Sequence, residues 1–258
     1  MMIRSGLVSV TFRQLSFVEI IDLVKQAGLD AIEWGGDVHA PPGELDHAAE
    51  VRKMTEAAGL VVSAYGSYYR TGQSEAEGLS FEQVLNTAVT LGAPTIRVWA
   101  GRKASREASP AYWAQVIADS RRIADMSAAR QLTISFEYHG NTLTDNNESA
   151  VHLLDAVDHS NIYTFWQPPN QADHATRLAG LQAILPKLTN MHVFYWDDNG
   201  NRLPLAQGEA IWLPFLQTIR QTGRDHYASI EFVQGDAPEN FLQDAKLLNR
   251  WLAQVNEG

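Results

Sequence analysis

The sequence predicts a single α/β domain, a (β/α)8 TIM barrel over residues 1–258. Three observations predict this fold. The length of 258 residues is close to the ~250 that are typical of such barrels. Short β-branched runs alternate strictly with longer amphipathic runs, which favours a parallel sheet with helical crossovers. The alternation repeats eight times, and no Gly-rich phosphate turn of a doubly wound sheet follows the first strand.

The elements follow one another without a domain boundary. The predicted strands span residues 6–12, 30–34, 60–65, 95–99, 132–137, 161–166, 190–195 and 227–232. The predicted helices span residues 17–27, 45–58, 78–91, 110–130, 147–157, 175–185, 209–222 and 238–255. Ser16 and Glu19 form a capping box before the first helix, and Gly28 ends that helix. The two longest loops, residues 67–77 and 101–109, follow strands and therefore lie on the active face of a barrel.

Composition excludes several classes of function. The chain has 20 basic and 30 acidic residues, a formal net charge of −10, so it repels phosphate backbones and anionic lipid. We therefore expect no nucleic-acid partner and no membrane partner. The absence of cysteine excludes disulfides and thiolate chemistry. We find no signal peptide and no apolar run near the ~20 residues that span a bilayer, and we expect a cytoplasmic protein.

Polar residues end two strands with the same local pattern. Strand five ends in Ser135-Phe136-Glu137-Tyr138-His139, and strand eight ends in Ser229-Ile230-Glu231-Phe232. Because side chains alternate along a strand, the serines, both glutamates and His139 face the barrel interior. Catalytic groups of such barrels come from these strand ends. Each glutamate follows a small serine, which leaves room for a ligand or an ion.

The two strands between them also carry polar residues. Strand six ends at Gln167, and strand seven contains His192. Two carboxylates in one barrel mouth raise each other's pKa unless a cation lies between them. Glu137, Gln167, His192 and Glu231 therefore form a candidate site for one divalent ion, Mn²⁺, Mg²⁺, Co²⁺ or Zn²⁺. There are two alternatives to a metal site. Either glutamate could instead form a salt bridge at its strand end, and the histidine could simply be hydrogen-bonded within the fold.

Four stretches together resemble the sugar phosphate isomerase/epimerase superfamily, whose members have a xylose isomerase-like barrel. They are Gln26–Glu33, Ser135–His139, Met191–Val193 and Ile230–Asp236. The superfamily includes ketose 3-epimerases, hydroxypyruvate isomerases, inosose dehydratases and metal-dependent abasic-site endonucleases. The resemblance covers nearly the whole chain and is specific for the superfamily, not for a substrate. Because members are often dimers or tetramers, it also implies a possible homo-oligomer.

The resemblance implies one divalent ion held by Glu, Asp, His and Glu on strands five to eight. Glu137, His192 and Glu231 match these positions. The strand-six position is Gln167, whose amide oxygen can coordinate an ion but carries no charge. The ketose 3-epimerases also have a His three residues after the strand-six Asp, where this chain has Asn170. The chain therefore departs from the pattern of that subgroup.

We expect a metal-dependent isomerase or epimerase of a sugar or sugar derivative. A divalent ion that chelates a carbonyl and the neighbouring hydroxyl stabilises the enediolate formed on deprotonation. A base must remove the proton, and an acid must return it. Glu137 and Glu231 are the candidate catalytic residues, each binding the ion and exchanging protons with one face of the substrate.

Other side chains on the same face are predicted to contact a small sugar or polyol substrate. They are His39, Tyr65, Trp99, His139, Asn170 and Arg202. Trp99 could pack under the apolar face of a sugar, and Arg202 could bind a carboxylate or a phosphate. The alternatives are that Trp99 belongs to the core, that Arg202 is an exposed loop residue and that His39 is a loop histidine without contact to the substrate. Arg97 shares the facing of Trp99, and we expect it to pair with a carboxylate such as Glu33.

Two other functions remain open. A dehydratase of a keto-inositol or keto-sugar shares the proton-abstraction step, with His139 as the acid for the leaving hydroxyl. The second open function is that of a non-catalytic sugar-binding barrel. Gln167 keeps it open, because an uncharged residue at this position is expected in a site that has lost its ion. An abasic-site endonuclease is disfavoured by the single strand-end histidine and by the net charge of −10.

Overall fold

The computed structural model describes residues 1–169 and 172–257. Its strands form a closed parallel barrel in chain order, β1 to β8. The strands are Ile3–Val8, Ala31–Gly35, Val61–Arg70, Thr95–Trp99, Thr133–Phe136, Ile162–Trp166, Leu188–Val193 and His226–Ile230. The helices α1 to α8 are Phe17–Ala27, Leu45–Ala57, Phe81–Leu91, Pro110–Ala128, Asn147–Val157, His174–Ile184, Glu209–Arg220 and Pro238–Glu257. The predicted (β/α)8 barrel is confirmed.

The first strand is shorter than predicted, and the cause is local. β1 ends at Val8 because residues 9–12 form a 3-10 turn instead of continuing the strand to Phe12. The Ser9 hydroxyl accepts a hydrogen bond from the Gly35 N–H at 2.9 Å, which ties the turn to the end of β2. This turn directs the first loop over the C-terminal end of the barrel.

The third strand is longer than predicted. β3 continues to Arg70, which pairs with Trp99 at the end of β4 across an irregular register. The Ser67 hydroxyl donates to the Arg97 carbonyl at 2.8 Å and supports this extension. The first part of the predicted loop 67–77 is therefore strand, and it brings Tyr68 to the mouth of the barrel.

Local signals set both ends of α1 as the sequence predicts. At the start of α1 the Ser16 side chain accepts from the Glu19 N–H, and the Glu19 side chain accepts from the Ser16 N–H. Gly28 ends this helix in the left-handed region, at φ 66°, where glycine is favoured because it has no Cβ. No helix in the described residues is long and apolar enough to cross a membrane.

The interior of the barrel has the alternation that was predicted for strand five. The buried Ser135 hydroxyl lies 2.9 Å from the Thr95 hydroxyl and 3.0 Å from the Thr189 hydroxyl, both on other strands. Phe136 points the opposite way into the apolar layer between strands and helices. Glu137 follows Ser135 by two residues and therefore rises on the interior side, above this polar layer.

Candidate active site

A cavity of about 420 Å³ opens at the C-terminal ends of the strands. Its volume is in the range of small-molecule sites, roughly 300–1,000 Å³. The polar floor includes Arg97, Glu137, Gln167 and Glu231. Aromatic side chains from several loops form much of the wall; they are Tyr68, Trp99, Tyr138, Phe194, Trp196 and Phe232. The cavity therefore combines a charged floor with apolar walls.

The four predicted metal-binding residues converge at this floor. His192 Nδ1 lies 3.4 Å from Glu231 Oε2, 3.6 Å from Glu137 Oε1 and 3.3 Å from Gln167 Oε1. The ligand atoms of the two glutamates and the histidine all lie within 4.8 Å of one another. Both glutamates and His192 are buried. A Glu/His/Glu group that could hold a metal ion is therefore present where the sequence predicted it.

Gln167 presents its oxygen to this group. Its Nε2 donates to the Tyr138 carbonyl and, at 3.4 Å, to Glu137 Oε1. Because both donor contacts use the amide nitrogen, Oε1 is turned toward His192. The side chain that departs from the superfamily pattern is thus held with its one possible ligand atom facing the centre.

A second layer of charged residues supports the ligands. His192 Nε2 lies 3.0 Å from Glu33 Oε2, and Glu33 Oε1 pairs with Arg97. Arg97 also pairs with Glu137 Oε2, so one guanidinium joins the two carboxylates. A histidine that donates Nε2–H to a carboxylate keeps the Nδ1 lone pair for a cation, which is the usual support of a metal-bound imidazole.

Glycine at position 66 makes room for this second layer. A Cβ there would lie 2.5 Å from Arg97 Nη2 and 3.0 Å from Glu33 Oε1.

The expected Arg97–Glu33 pair is present in the structure. The pairs of Arg97 with Glu137 and of Glu33 with His192 were not predicted. Glu33 and His192 lie on β2 and β7, which are not neighbours in the barrel.

The buried carboxylates create a strongly negative centre. Burial lowers the pKa of His192, but the charges of Glu231 and Glu33 outweigh burial and raise this pKa well above its ordinary value. Burial raises the pKa of Glu137, but Arg97 and His192 outweigh it and hold the pKa well below its usual range. The centre thus stabilises positive charge beyond that of Arg97.

The charge count agrees with a divalent ion. Three carboxylates, Glu33, Glu137 and Glu231, face one guanidinium, Arg97, which leaves a charge of −2 when His192 is neutral. Oxygen and imidazole donors of this kind suit Mn²⁺, Mg²⁺, Co²⁺ or Zn²⁺. The residues present therefore fit one divalent ion, bound by the two glutamates, His192 Nδ1 and the Gln167 oxygen.

Two of the predicted substrate contacts, Trp99 and His139, line the cavity. Their ring centroids are 4.5 Å apart. The Trp99 indole donates to Glu137 Oε2, and the Arg70 guanidinium lies 4.0 Å from the ring centroid. Trp99 is thus partly covered by protein and is not simply an open platform for a sugar. His139 Nδ1 lies 2.7 Å from the Gly140 carbonyl, which orients its imidazole.

The structure places three other predicted contacts outside the cavity wall. His39 is buried, with its ring nitrogens 3.0 Å from the Ser9 hydroxyl and 3.0 Å from the Leu15 carbonyl, so both are used within the fold. Tyr65 is also buried, and its hydroxyl donates to the Ala40 carbonyl at 2.8 Å. These two expectations are corrected to structural roles, because the first loop folds over His39 and the second loop takes up the Tyr65 hydroxyl.

Arg202 is the third. It pairs with Asp236 and lies 4.2 Å from the ring centroid of Phe232, behind the cavity wall. Its expected contact with a substrate anion is replaced by this loop-to-loop ion pair. Asn170, the remaining predicted contact, lies outside the described residues.

Sequence reasoning missed several residues of the cavity wall. Arg13 and Tyr68 come from the first and third loops, and Phe194, Trp196 and Phe232 come from the seventh and eighth. The signal for Arg13 was its position in the turn after strand one. Tyr68 lies three residues beyond the predicted end of strand three, at which Tyr65 was named instead.

Comparison with known proteins agrees with this architecture. The family model described as "xylose isomerase-like TIM barrel" matches residues 21–251. A 3-dehydroshikimate dehydratase of Bacillus anthracis is 25% identical, and the match covers 98% of this chain and 99% of that protein.

Two solved structures have the same fold. One, from Bacillus anthracis, is a probable 3-dehydroshikimate dehydratase involved in petrobactin synthesis; it has a TM-score of 0.79 and 23% identity over 96% of this chain and 99% of that one. A D-psicose 3-epimerase has a TM-score of 0.75 and 15% identity over 99% of this chain and 100% of that one. With its barrel, its strand-end Glu/His/Glu group and a family match over most of its length, this chain belongs to the xylose isomerase-like TIM barrel family.

Proposed function

We propose that the protein is a divalent-metal-dependent dehydratase that eliminates water from a cyclic keto acid of the 3-dehydroshikimate type. The observation that carries this proposal is that both carboxylate oxygens of Glu137 are already held by neighbouring side chains. The similarity to a 3-dehydroshikimate dehydratase over nearly the full length of both chains supports the choice of substrate.

Glu137 is poorly placed to exchange protons with a substrate. Its Oε2 accepts from Arg97 and from the Trp99 indole, and its Oε1 faces His192 and Gln167. Its pKa is held well below its usual range, against burial, chiefly by Arg97. An epimerase with two carboxylate bases needs such a group to take up and return a proton. An elimination needs only one proton-transfer group.

His139 is the candidate for that group. It lies in the cavity beside Trp99, two residues after Glu137 in the segment that follows β5. We assign it the removal of the proton from the carbon next to the ketone and its delivery to the β-hydroxyl. The C–H and C–O bonds break, a C=C bond forms and water leaves. A further shift of one proton from the remaining ring CH2 group to the ketone oxygen breaks that C–H bond and makes the ring aromatic, giving 3,4-dihydroxybenzoate.

The ligand residues have a separate task. An ion held by Glu137, Gln167, His192 and Glu231 would supply a Lewis acid that lowers the cost of negative charge on the ketone oxygen. Arg97 keeps Glu137 ionised and positioned, and the aromatic wall excludes water from the ring. Glu231 has fewer partners than Glu137; its Oε2 lies 3.4 Å from His192 Nδ1, within the same group of ligand atoms.

The test is conversion of 3-dehydroshikimate by the Mn²⁺-loaded protein, followed by the absorbance of the aromatic product. We expect turnover by the unmodified protein and a loss of roughly 10²–10⁴-fold in His139→Asn. His152→Asn, on the exposed face of α5, is the matched control and should retain activity. Metal content of both variants should match that of the unmodified protein. Absence of product under all metal conditions would overturn the proposal.

An isomerase or epimerase of a sugar is the second candidate. The observation that favours it is that Glu137 and Glu231 reach one centre, as two proton-exchanging carboxylates would. The discriminating measurement is exchange of substrate protons with deuterated solvent, screened over ketoses and keto-inositols. Exchange in a ketose with retention of all its oxygens would favour this candidate over the dehydratase.

A further inference from the structure

Two arginines line the cavity in the described part of the chain, Arg13 and Arg97, and they differ in what they can still bind. Arg97 is buried and joins Glu33 to Glu137, so its charge is used within the centre. Arg13 stands at the mouth, with 44% of its side chain exposed. A second anion in the cavity would therefore meet Arg13 and not Arg97.

Arg13 is fixed from behind by three contacts. Its Nε donates to Asp37 at 2.5 Å, one terminal nitrogen donates to the Tyr68 hydroxyl at 2.8 Å, and the other donates to the Val10 carbonyl at 3.3 Å. A guanidinium has five N–H groups in a planar fork. One N–H on each terminal nitrogen is left over and can donate to a carboxylate oxygen.

Tyr68 connects Arg13 with the ion centre. The ring of Tyr68 lies 5.8 Å from the Arg97 guanidinium and packs edge-on against Trp99, at 5.1 Å between centroids. Its hydroxyl accepts from Arg13. One aromatic side chain of the cavity wall thus lies next to both arginines. A substrate ring beside Tyr68 can have its ketone at the centre and another substituent at Arg13.

We propose that Arg13 binds the carboxylate of the substrate and so selects ring compounds that carry an acid group; this inference rests on the proposed function. A divalent ion balances the charge around Glu137 and Glu231, but Asp145 also lines the cavity and repels an anion. The fixed fork of Arg13 compensates that repulsion at one place, and so the ring is held in one orientation. Arg13 is thereby a specificity-determining residue, remote from the reacting atoms.

The test compares two rings that differ only in the acid group, 3,4-dihydroxybenzoate and catechol. Calorimetric titration of the Mn²⁺-loaded protein should show 3,4-dihydroxybenzoate binding that is weakened about 10- to 100-fold in Arg13→Gln. Catechol affinity should be unchanged, and Arg13→Lys should lie between. Arg106→Gln, whose side chain is 84% exposed, is the matched control. Thermal melting and Mn²⁺ affinity of all variants establish that the fold and the ion centre are intact.

The outcomes separate this inference from the proposed function. Equal binding of 3,4-dihydroxybenzoate by Arg13→Gln and the unmodified protein would overturn the role of Arg13, even if 3-dehydroshikimate is converted. Failure of the unmodified protein to bind either ring would overturn it as well. Selective loss of 3,4-dihydroxybenzoate binding without any conversion of 3-dehydroshikimate would support Arg13 as a carboxylate site and refute the dehydratase.

Discussion

Replacement of Glu33 by Gln tests whether the second layer supports an ion centre. Glu33 accepts from His192 Nε2 and pairs with Arg97, and 1% of the residue is exposed. The amide keeps the shape and one acceptor oxygen but removes the charge. His192 then loses the charged acceptor that keeps Nδ1 available to an ion, and loss of such support lowers metal affinity by roughly 10- to 100-fold.

The same change also affects stability. Removing one partner of a buried ion pair costs about 3–5 kcal/mol, and we expect the lower end because Arg97 keeps Glu137 as a partner. About 3 kcal/mol corresponds to a fall of roughly 6–12 °C in Tm for a chain of this size. The matched control is Glu77→Gln, which breaks an exposed pair with Arg102. Exposed pairs contribute about 0–1 kcal/mol, so this control should melt within ~4 °C of the unmodified protein.

Two assays measure these effects separately. Calorimetric titration of metal-free protein with Mn²⁺ gives the affinity, and thermal unfolding in the presence of a chelator gives stability without metal. Glu33→Gln should change both quantities, and Glu77→Gln should change neither beyond the limits above. If the two variants bind Mn²⁺ equally, Glu33 does not position His192 for an ion, and the assignment of the second layer is refuted.

Three further changes test other parts of the structure. Glu231→Gln replaces a proposed charged ligand by a neutral amide and should lower Mn²⁺ affinity by more than the ~100-fold upper end for second-layer changes, in the same titration. Gly66→Ala should cost about 1–3 kcal/mol in urea unfolding because its Cβ meets Arg97, whereas Gly140→Ala, with nothing within 4 Å, should stay within ~0.5 kcal/mol. Burial raises the pKa of Asp244 to about 6, so its contribution to stability is present below pH ~4 and is lost as the pH rises through 6. The free energy of unfolding of Asp244→Asn should exceed that of the unmodified protein by up to about 3 kcal/mol at pH 8 and by almost nothing near pH 4. A difference that does not depend on pH would contradict this.

The residues that the sequence located best are those on regular strands. The period of two along β5 fixes the facing of Ser135 and Glu137 without any knowledge of their neighbours. The same rule places Arg97 inside, where burial requires a charged partner, and Glu33 is that partner. Closure of eight units then brings the ends of β5 to β8 together. The Glu/His/Glu group was predictable because it depends only on periodicity and barrel topology.

The residues that the sequence located poorly are those on loops. His39 follows β2 on the active face, but the 3-10 turn of residues 9–12 presents Ser9 to its imidazole and buries it. Arg202 meets Asp236 because the seventh and eighth loops come together, a contact that no periodicity encodes. Loop paths depend on many weak contacts, so a residue's place after a strand does not by itself set where its side chain points.

Gln167 is better explained by the charge of the centre than by decay of an ion site. Glu33, Glu137 and Glu231 against Arg97 leave a charge of −2, which one divalent ion balances. An aspartate at position 167 would leave one further buried negative charge, which is costly without a partner. In a site that no longer bound an ion, nothing would favour an amide oxygen directed at His192. Both donor contacts of Gln167 nevertheless hold its oxygen there. A neutral ligand is therefore what this set of buried charges requires, and Gln167 alone gives no ground for regarding the barrel as non-catalytic.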